Sequence, residues 1–590
     1  MRIRTILLPI AVVLCVAALT AFAIRTPPSR SEAALAPGKA DDLRATIRQV
    51  DAALERLWSE QSAAAGDVPA DGALTALGPA PEADDLTVLR RLSLALHGTI
   101  PSLQEVRRFQ ADDRPDRLML WTNAMLDDSR FSDYFAERLA RAYVGIEDGQ
   151  FLIFRRDRFF AWLSGELREN RPYDEVVRGM IAGQGVWTGS GEVNFLTAGF
   201  ANDEFDANKL AARTARAFLG QRIDCAQCHD HPFDDWTQQQ FEGIAAHYGH
   251  LKLTLAGLRD DPEERFAVIE AEGEPPRYPE VALPMHPEWA GQSTGDRERL
   301  ATWVTSPEND RFGRAISNRV WGLMFGRPFA ARVRMHAEDL STGKSEWIWT
   351  DRAVDDLPDP DDVRFGNQLE VLDILARDFR AHDCDLRRLV LVIAGSKAFR
   401  LASFHPECDP DSVQHLPRDE ADRLRQRIAQ IESRWGVFPL VRLRPEQVIG
   451  SMLQANHVDT VDRNSHLFVR FQRLFRERDF VNEFGDPGVD ELEDRTGTIQ
   501  QALLRMNGDF ANELSKEEAF TATGQISRYS STPESLLDNL FLATLTRTAN
   551  QAERDCFLPQ LSDAAEGQPD GVIEDIYWAL FNAPEFSWNH

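Results

Sequence analysis

The sequence predicts a mainly α protein, built as two helical domains in tandem with a short irregular connection that has room for one or two strands. Three observations predict it. From Asp84 towards the C-terminus, apolar residues recur at steps of three and four, the spacing of a helix face. No alternating run of strand type persists for more than a few residues. The chain has 590 residues, whereas single cores rarely grow beyond about 250–300 residues.

At the start, Arg2 and Arg4 precede an apolar run from Ile6 to Ile24, and Ala21-Phe22-Ala23 offers a small-x-small cleavage site. Residues 1–24 therefore read as a signal peptide or a membrane anchor, and the expected location is extracytoplasmic. Any contact with a membrane would run through this segment alone. Leu14 stands before Cys15 where a lipoprotein signal wants a small residue, which argues against lipidation. Residues 25–83 read as a linker with a short helix. Pro27, Pro28 and Pro37 make a spacer that cannot pack. Leu43, Ile47, Val50, Leu54 and Leu57 form a helical stripe suited to docking, and Ala63 to Ala83 is again rich in Ala, Gly and Pro.

Residues 84–250 read as the first helical domain. Leu89, Leu92 and Leu96 share a helix face that ends at Gly98 and Pro101. Leu118, Trp121 and Met125 continue the pattern, as do Phe135, Leu139 and Tyr143, then Val176, Val177, Met180 and Ile181. Residues 251–295 are irregular, with Phe266–Ile269 and Val281–Leu283 as the apolar pieces able to form strands. Residues 296–590 read as the second helical domain, where Phe312, Ile316, Val320 and Met324 make one face before Gly326. Asp351 to Asp362 carries six Asp in twelve positions without the ligand spacing of a calcium loop. A solvated surface loop is expected there.

Composition excludes several functions. Against 66 Lys+Arg stand 94 Asp+Glu, a net charge of −28, so a nucleic-acid partner is not expected. A hydrophobic content of 43% with 34 Phe excludes wholesale disorder. Six cysteines in so long a chain are not a disulfide scaffold. Nucleophile elbow, phosphate loop and HExxH signatures are absent from the sequence, which leaves the catalytic residues unknown.

One motif carries chemistry: Cys225-Ala226-Gln227-Cys228-His229. Two thiols about one helical turn apart, followed by a histidine, suit two thioether bonds to a c-type haem with His229 as an axial ligand. The same residues also suit a Cys225–Cys228 disulfide or redox pair. A zinc-like site would use Cys225, Cys228 and His229 or His231. No Met occurs between Cys228 and Met285, so His231, His247 and His250 are the remaining candidate metal ligands. Asp230 and Asp234 could orient a ligating imidazole through its second nitrogen. Cys384, Cys408 and Cys556 are expected to be inert thiols.

The stretch from Gln221 through Cys225-Ala226-Gln227-Cys228-His229-Asp230-His231-Pro232-Phe233-Asp234 resembles the CxxCHDHxFD signature of an exported family of planctomycete-type, cytochrome-associated domains of unknown function. Leu89-Arg90-Arg91-Leu92 through Ser102 is similar to that domain's opening segment, and Asn170-Arg171-Pro172-Tyr173-Asp174 to its next block. The C-terminal half resembles the partner domain usually fused to it. That match runs through Trp303-Val304-Thr305-Ser306-Pro307-Glu308-Asn309, Asn318-Arg319-Val320-Trp321, Gly497 to Leu503 and Trp578 to Phe586. His97 departs from the family pattern, and the stretch between Phe325 and Asn367 diverges. The resemblance implies export and a family association with a separate haem domain, and the haem reading of the motif implies electron transfer or a redox step on an unknown redox partner. The alternative is a non-haem metal- or disulfide-stabilised enzyme acting on an extracellular polymer, or a surface-complex scaffold. For Asn318, Arg319, Trp321 and Asn582, packing is the expected role.

Overall fold

Helix ends are set locally, and they explain most element boundaries. Asp84 caps the Asp85–His97 helix by accepting from the backbone of Leu86 and Thr87, and Gly98 closes it at φ 69°. A side chain at Gly98 would collide with the Tyr134 ring. Ser102 and Glu105 form a capping box at the Leu103–Gln110 helix, and Gly326, at φ 84°, ends the Asp310–Phe325 helix. The computed structural model describes residues 37–64, 78–146, 156–201, 204–232, 235–269, 274–330, 354–358, 369–408, 416–462, 465, 492, 498–565 and 571–590. The signal or anchor segment 1–24, the Pro27–Pro28 spacer, part of the Ala63–Ala83 linker, Phe233 and Asp234 lie outside them. Among the described residues no helix is long and apolar enough to cross a membrane.

The protein is mainly α. Its N-terminal helix, Pro37–Ala64, runs 28 residues and buries Leu43, Ile47, Val50, Leu54 and Leu57 against the helices Glu370–Ala381 and Leu386–Gly395. The docking stripe thus finds its partner within the chain. Thr46 Oγ1 donates to Asp378 Oδ1 at 2.7 Å, and Trp58 Nε1 to the Arg434 carbonyl at 3.0 Å, fixing the helix at both ends.

The Asp310–Phe325 helix is buried on every side from Phe312 onward, not only on the face of Phe312, Ile316, Val320 and Met324. Small residues allow this. Gly313 brings the backbone so close to the Glu370–Ala381 helix that an added Cβ would lie 3.0 Å from Ala376 Cβ. Around it pack Asp85–His97, Glu370–Ala381 and Leu386–Gly395, so elements from both sequence halves share one continuous apolar core.

Three two-stranded antiparallel sheets occur among the described residues. One is the hairpin Leu251–Thr254 with Gly257–Asp260, inside the connecting segment. The expected pieces do not form strands: Val268 makes a single bridge to Arg277, and Val281–Leu283 is irregular. The acidic loop also differs from expectation where it is described. Asp355 and Asp356 are buried, and Asp355 Oδ1 accepts from Arg222 Nε at 2.8 Å. An arginine opposite the loop makes burial of that carboxylate tolerable.

Candidate functional site: the Cys225–His231 loop

The motif follows a helix that ends in a tight sequence of turns. Ala207–Thr214 runs on through a single π turn, Ala215–Leu219, and stops at Gly220 with φ 62°. At Gly220 an added Cβ would lie 2.8 Å from Leu357 Cδ1. Gln221 then locks the loop from below. Its buried Nε2 donates to the carbonyls of Gly220 and Leu357, at 3.0 and 2.9 Å, and its Oε1 accepts from Trp236 Nε1 at 3.3 Å.

Asp224–Gln227 is a 3₁₀ helix, in which side chains three apart eclipse. Ile223 and Ala226 share the inner edge and are fully buried. Cys225 and Cys228 share the outer edge, both exposed and both free thiols. The polar residues beyond them are fixed by backbone contacts. His229 is exposed, and its Nδ1 lies 2.7 Å from the Asp230 carbonyl. A carbonyl only accepts, so Nδ1 is the donor in this contact and Nε2 is the nitrogen left for a ligand. Asp230 Oδ1 accepts from the Gln238 amide at 2.8 Å, and the His231 amide donates to the Trp236 carbonyl at 2.7 Å. The loop is thereby tied to the next helix, Gln238–Ala246, whose Thr237–Gln240 capping box starts it. Arg216 reaches both oxygens of Asp224 at 2.8 Å across the exposed rim.

The other predicted ligands go elsewhere. His247 is wholly buried, its Nδ1 donating to the Gly243 carbonyl at 2.9 Å, and burial takes it down to about 4. It is neutral at pH 7 and belongs to the core. His250 Nε2 faces Asp296 at 3.3 Å. Among the described residues no group of three or more His, Cys, Asp or Glu is placed to hold a metal ion. Cys384 is buried, which pushes its thiol up to about 12, while Cys556 is exposed. Cys408 ends the 3₁₀ turn Pro406–Cys408. Sequence reasoning missed the Gln221–Trp236–Leu357 clamp and the Arg222–Asp355 pair. The only signal was Gln221-Arg222 standing next to the motif. Asn318 holds the Ala330 amide and carbonyl and the Val354 carbonyl, the packing role expected of it.

Residues 70–252 match the family described as PSCyt2, a protein of unknown function (DUF1549). Residues 362–560 match the family described as PSD1, a protein of unknown function (DUF1553). The two matched regions follow one another in tandem, as the sequence arrangement predicts. No curated protein and no solved structure matches it. The cysteine loop lies inside the PSCyt2 region, whereas Leu357, on which Gly220 and Gln221 rest, lies between the two matched regions.

Proposed function

We propose that this chain is an extracytoplasmic redox protein in which Cys225 and Cys228 would hold a c-type haem and His229 would ligate its iron. The observation that carries the reading is the 3₁₀ turn with both sulfurs on one exposed edge. The donor set suits the group: two accessible thiols and an imidazole with its Nδ1 proton already engaged. Cys225 and Cys228 would hold the group through their sulfurs. When bound, the iron porphyrin supplies one-electron transfer. The chain's own part is positional. Gln221 and Trp236 keep the turn in place, and the Asp230 carbonyl orients His229. Export belongs to the same proposal, because thioether attachment takes place outside the cytoplasm.

The test is a visible absorption spectrum of the full chain matured in a host competent for cytochrome c assembly. A Soret band that stays with the polypeptide after denaturation, and disappears in Cys225→Ser and Cys228→Ser, is the expected result. Colourless protein from that host retires the haem reading. Stoichiometric zinc in such protein would favour the metal-stabilised alternative, and neither zinc nor haem would favour a scaffold.

A further inference from the structure

The Trp303–Asn309 segment takes no part in the cysteine loop, yet it is built with care. Asn309 Nδ2 donates to the carbonyls of Trp303 and Val304, at 3.3 and 3.2 Å, and Thr305 Oγ1 donates to the Ala301 carbonyl at 2.8 Å. These bonds hold the turn Ser306-Pro307-Glu308 as one wall of an open cavity of about 450 Å³, inside the range of roughly 300–1,000 Å³ for small-molecule sites. A second wall is Arg178, from the Tyr173–Ala182 helix. Its Nε donates to Thr305 Oγ1 and its NH1 pairs with Asp174, each at 2.8 Å. The third is the turn Pro287–Ala290, which brings Glu288 and Trp289. His286 stacks on Trp289 with centroids 4.4 Å apart and 15° between planes, so the indole is held rigidly at the rim.

We propose that this cavity binds a saccharide, neutral or amine-bearing, with Trp289 under the sugar and Glu288 and Glu308 accepting from its hydroxyl or ammonium groups. Charge decides against other ligands. Arg178 is balanced by Asp174, and Arg380, which donates to the Pro307 carbonyl, by Asp310 at 2.6 Å. The carboxylates of Glu288 and Glu308 remain in surplus. The Ser306 hydroxyl, 2.5 Å away, holds Glu308 below the usual carboxylate range. Glu288's own backbone and then His286 do the same for Glu288. Phosphates and uronic acids are therefore repelled. An indole surface beside two fixed acceptors matches a ring with apolar C–H faces and a hydroxyl rim. Among the described residues, Trp289 Nε1 makes no hydrogen bond and is left to donate to such a ligand.

The test uses the full chain, with cellobiose, a glucosamine disaccharide, a glucuronic acid disaccharide and tetramethylammonium, read by calorimetry and ligand-observed NMR. Saturable binding of the first two and none of the acid is expected. Trp289→Ala should weaken binding roughly tenfold or more, with an unchanged circular dichroism spectrum, and Glu308→Gln should erase any preference for the amine. Cys225→Ser should leave the affinities unchanged, which separates this site from the haem reading. Absence of saturation by either sugar at about 10 mM overturns the proposal. So does tetramethylammonium binding as tightly as the sugars, or a Trp289→Ala variant that binds like the parent.

Discussion

His97 closes the Asp85–His97 helix inside the first matched region, and its surroundings give it a measurable role. The ring is buried, Nε2 donates to the Met125 carbonyl at 3.1 Å, and Nδ1 finds no partner among the described residues. Burial first, then the neighbouring Arg130, lower it from 6.5 to about 4, against the opposing pull of Asp128 and Glu105. The sign follows directly. Between 6.5 and about 4 the unfolded chain binds a proton that the folded chain refuses. The contribution of His97 is therefore fully present above 6.5 and declines as the pH falls through that window, by up to roughly 3 kcal/mol. His247 behaves alike, so two histidines act together. Replacing His97 by Gln keeps a donor for Met125 and removes one titration. Urea unfolding at stepped pH should show a shallower acid slope for His97→Gln than for the parent, with the His247 component remaining. Identical slopes would place the acid sensitivity elsewhere.

At the scale of elements, the cysteine loop depends on a glycine that has no chemistry of its own. Gly220 stands in the left-handed region and presses on Leu357, so Gly220→Ala meets both backbone strain and a clash. A loss of about 1–3 kcal/mol is expected in chemical denaturation. Alkylation followed by peptide mapping of haem-free protein, made in a host without cytochrome c assembly, should show Cys225 and Cys228 labelled quickly in the folded state and Cys384 only after unfolding. A Cys384 that labels as fast as the loop cysteines would contradict its buried position. Gly98 and Gly326 were legible in the sequence because helix termination is local chemistry, and the Leu43–Leu57 stripe because its spacing is. The hairpin Leu251–Asp260 was not legible. It is set by the turn at Gly257 and a bridge between Leu258 and Gly185, not by alternation, while Val281–Leu283 pairs with no strand among the described residues. For the site, residue types and spacing announced Cys225, Cys228 and His229. The clamp beneath them did not show, because Gln221 meets Trp236 fifteen positions away and Leu357 136 positions away. His247 and His250, both candidate ligands three apart in sequence, do not converge: one lies in the core and the other faces Asp296.

At the scale of the molecule, two family regions that follow one another in sequence are interleaved in space. Tyr173, from the first region, stacks on Phe312 with centroids 5.6 Å apart, packs on Phe379 and gives its amide to the Cys384 carbonyl at 3.2 Å. Thr99 donates to the Gly450 carbonyl at 3.0 Å, and Arg138 pairs with Glu446 in the buried interior. Arg91 is fully buried in the first region yet bonds the carbonyls of Phe399, Leu401 and His590 and lies 3.7 Å over the Phe438 ring. Separating the halves would leave that guanidinium and its three carbonyls without partners, at about 1–3 kcal/mol for each group, besides exposing the Asp310–Phe325 helix, which is buried all round. Neither half is then expected to fold stably by itself. Scanning calorimetry of the full chain should accordingly give one transition, with calorimetric and van't Hoff enthalpies in agreement. The fragment spanning residues 78–330, made alone, should keep helical circular dichroism but bind ANS and melt without a sharp transition. Two resolved transitions in the full chain, or a cooperative melt of that fragment, would show that the regions fold independently despite their shared core.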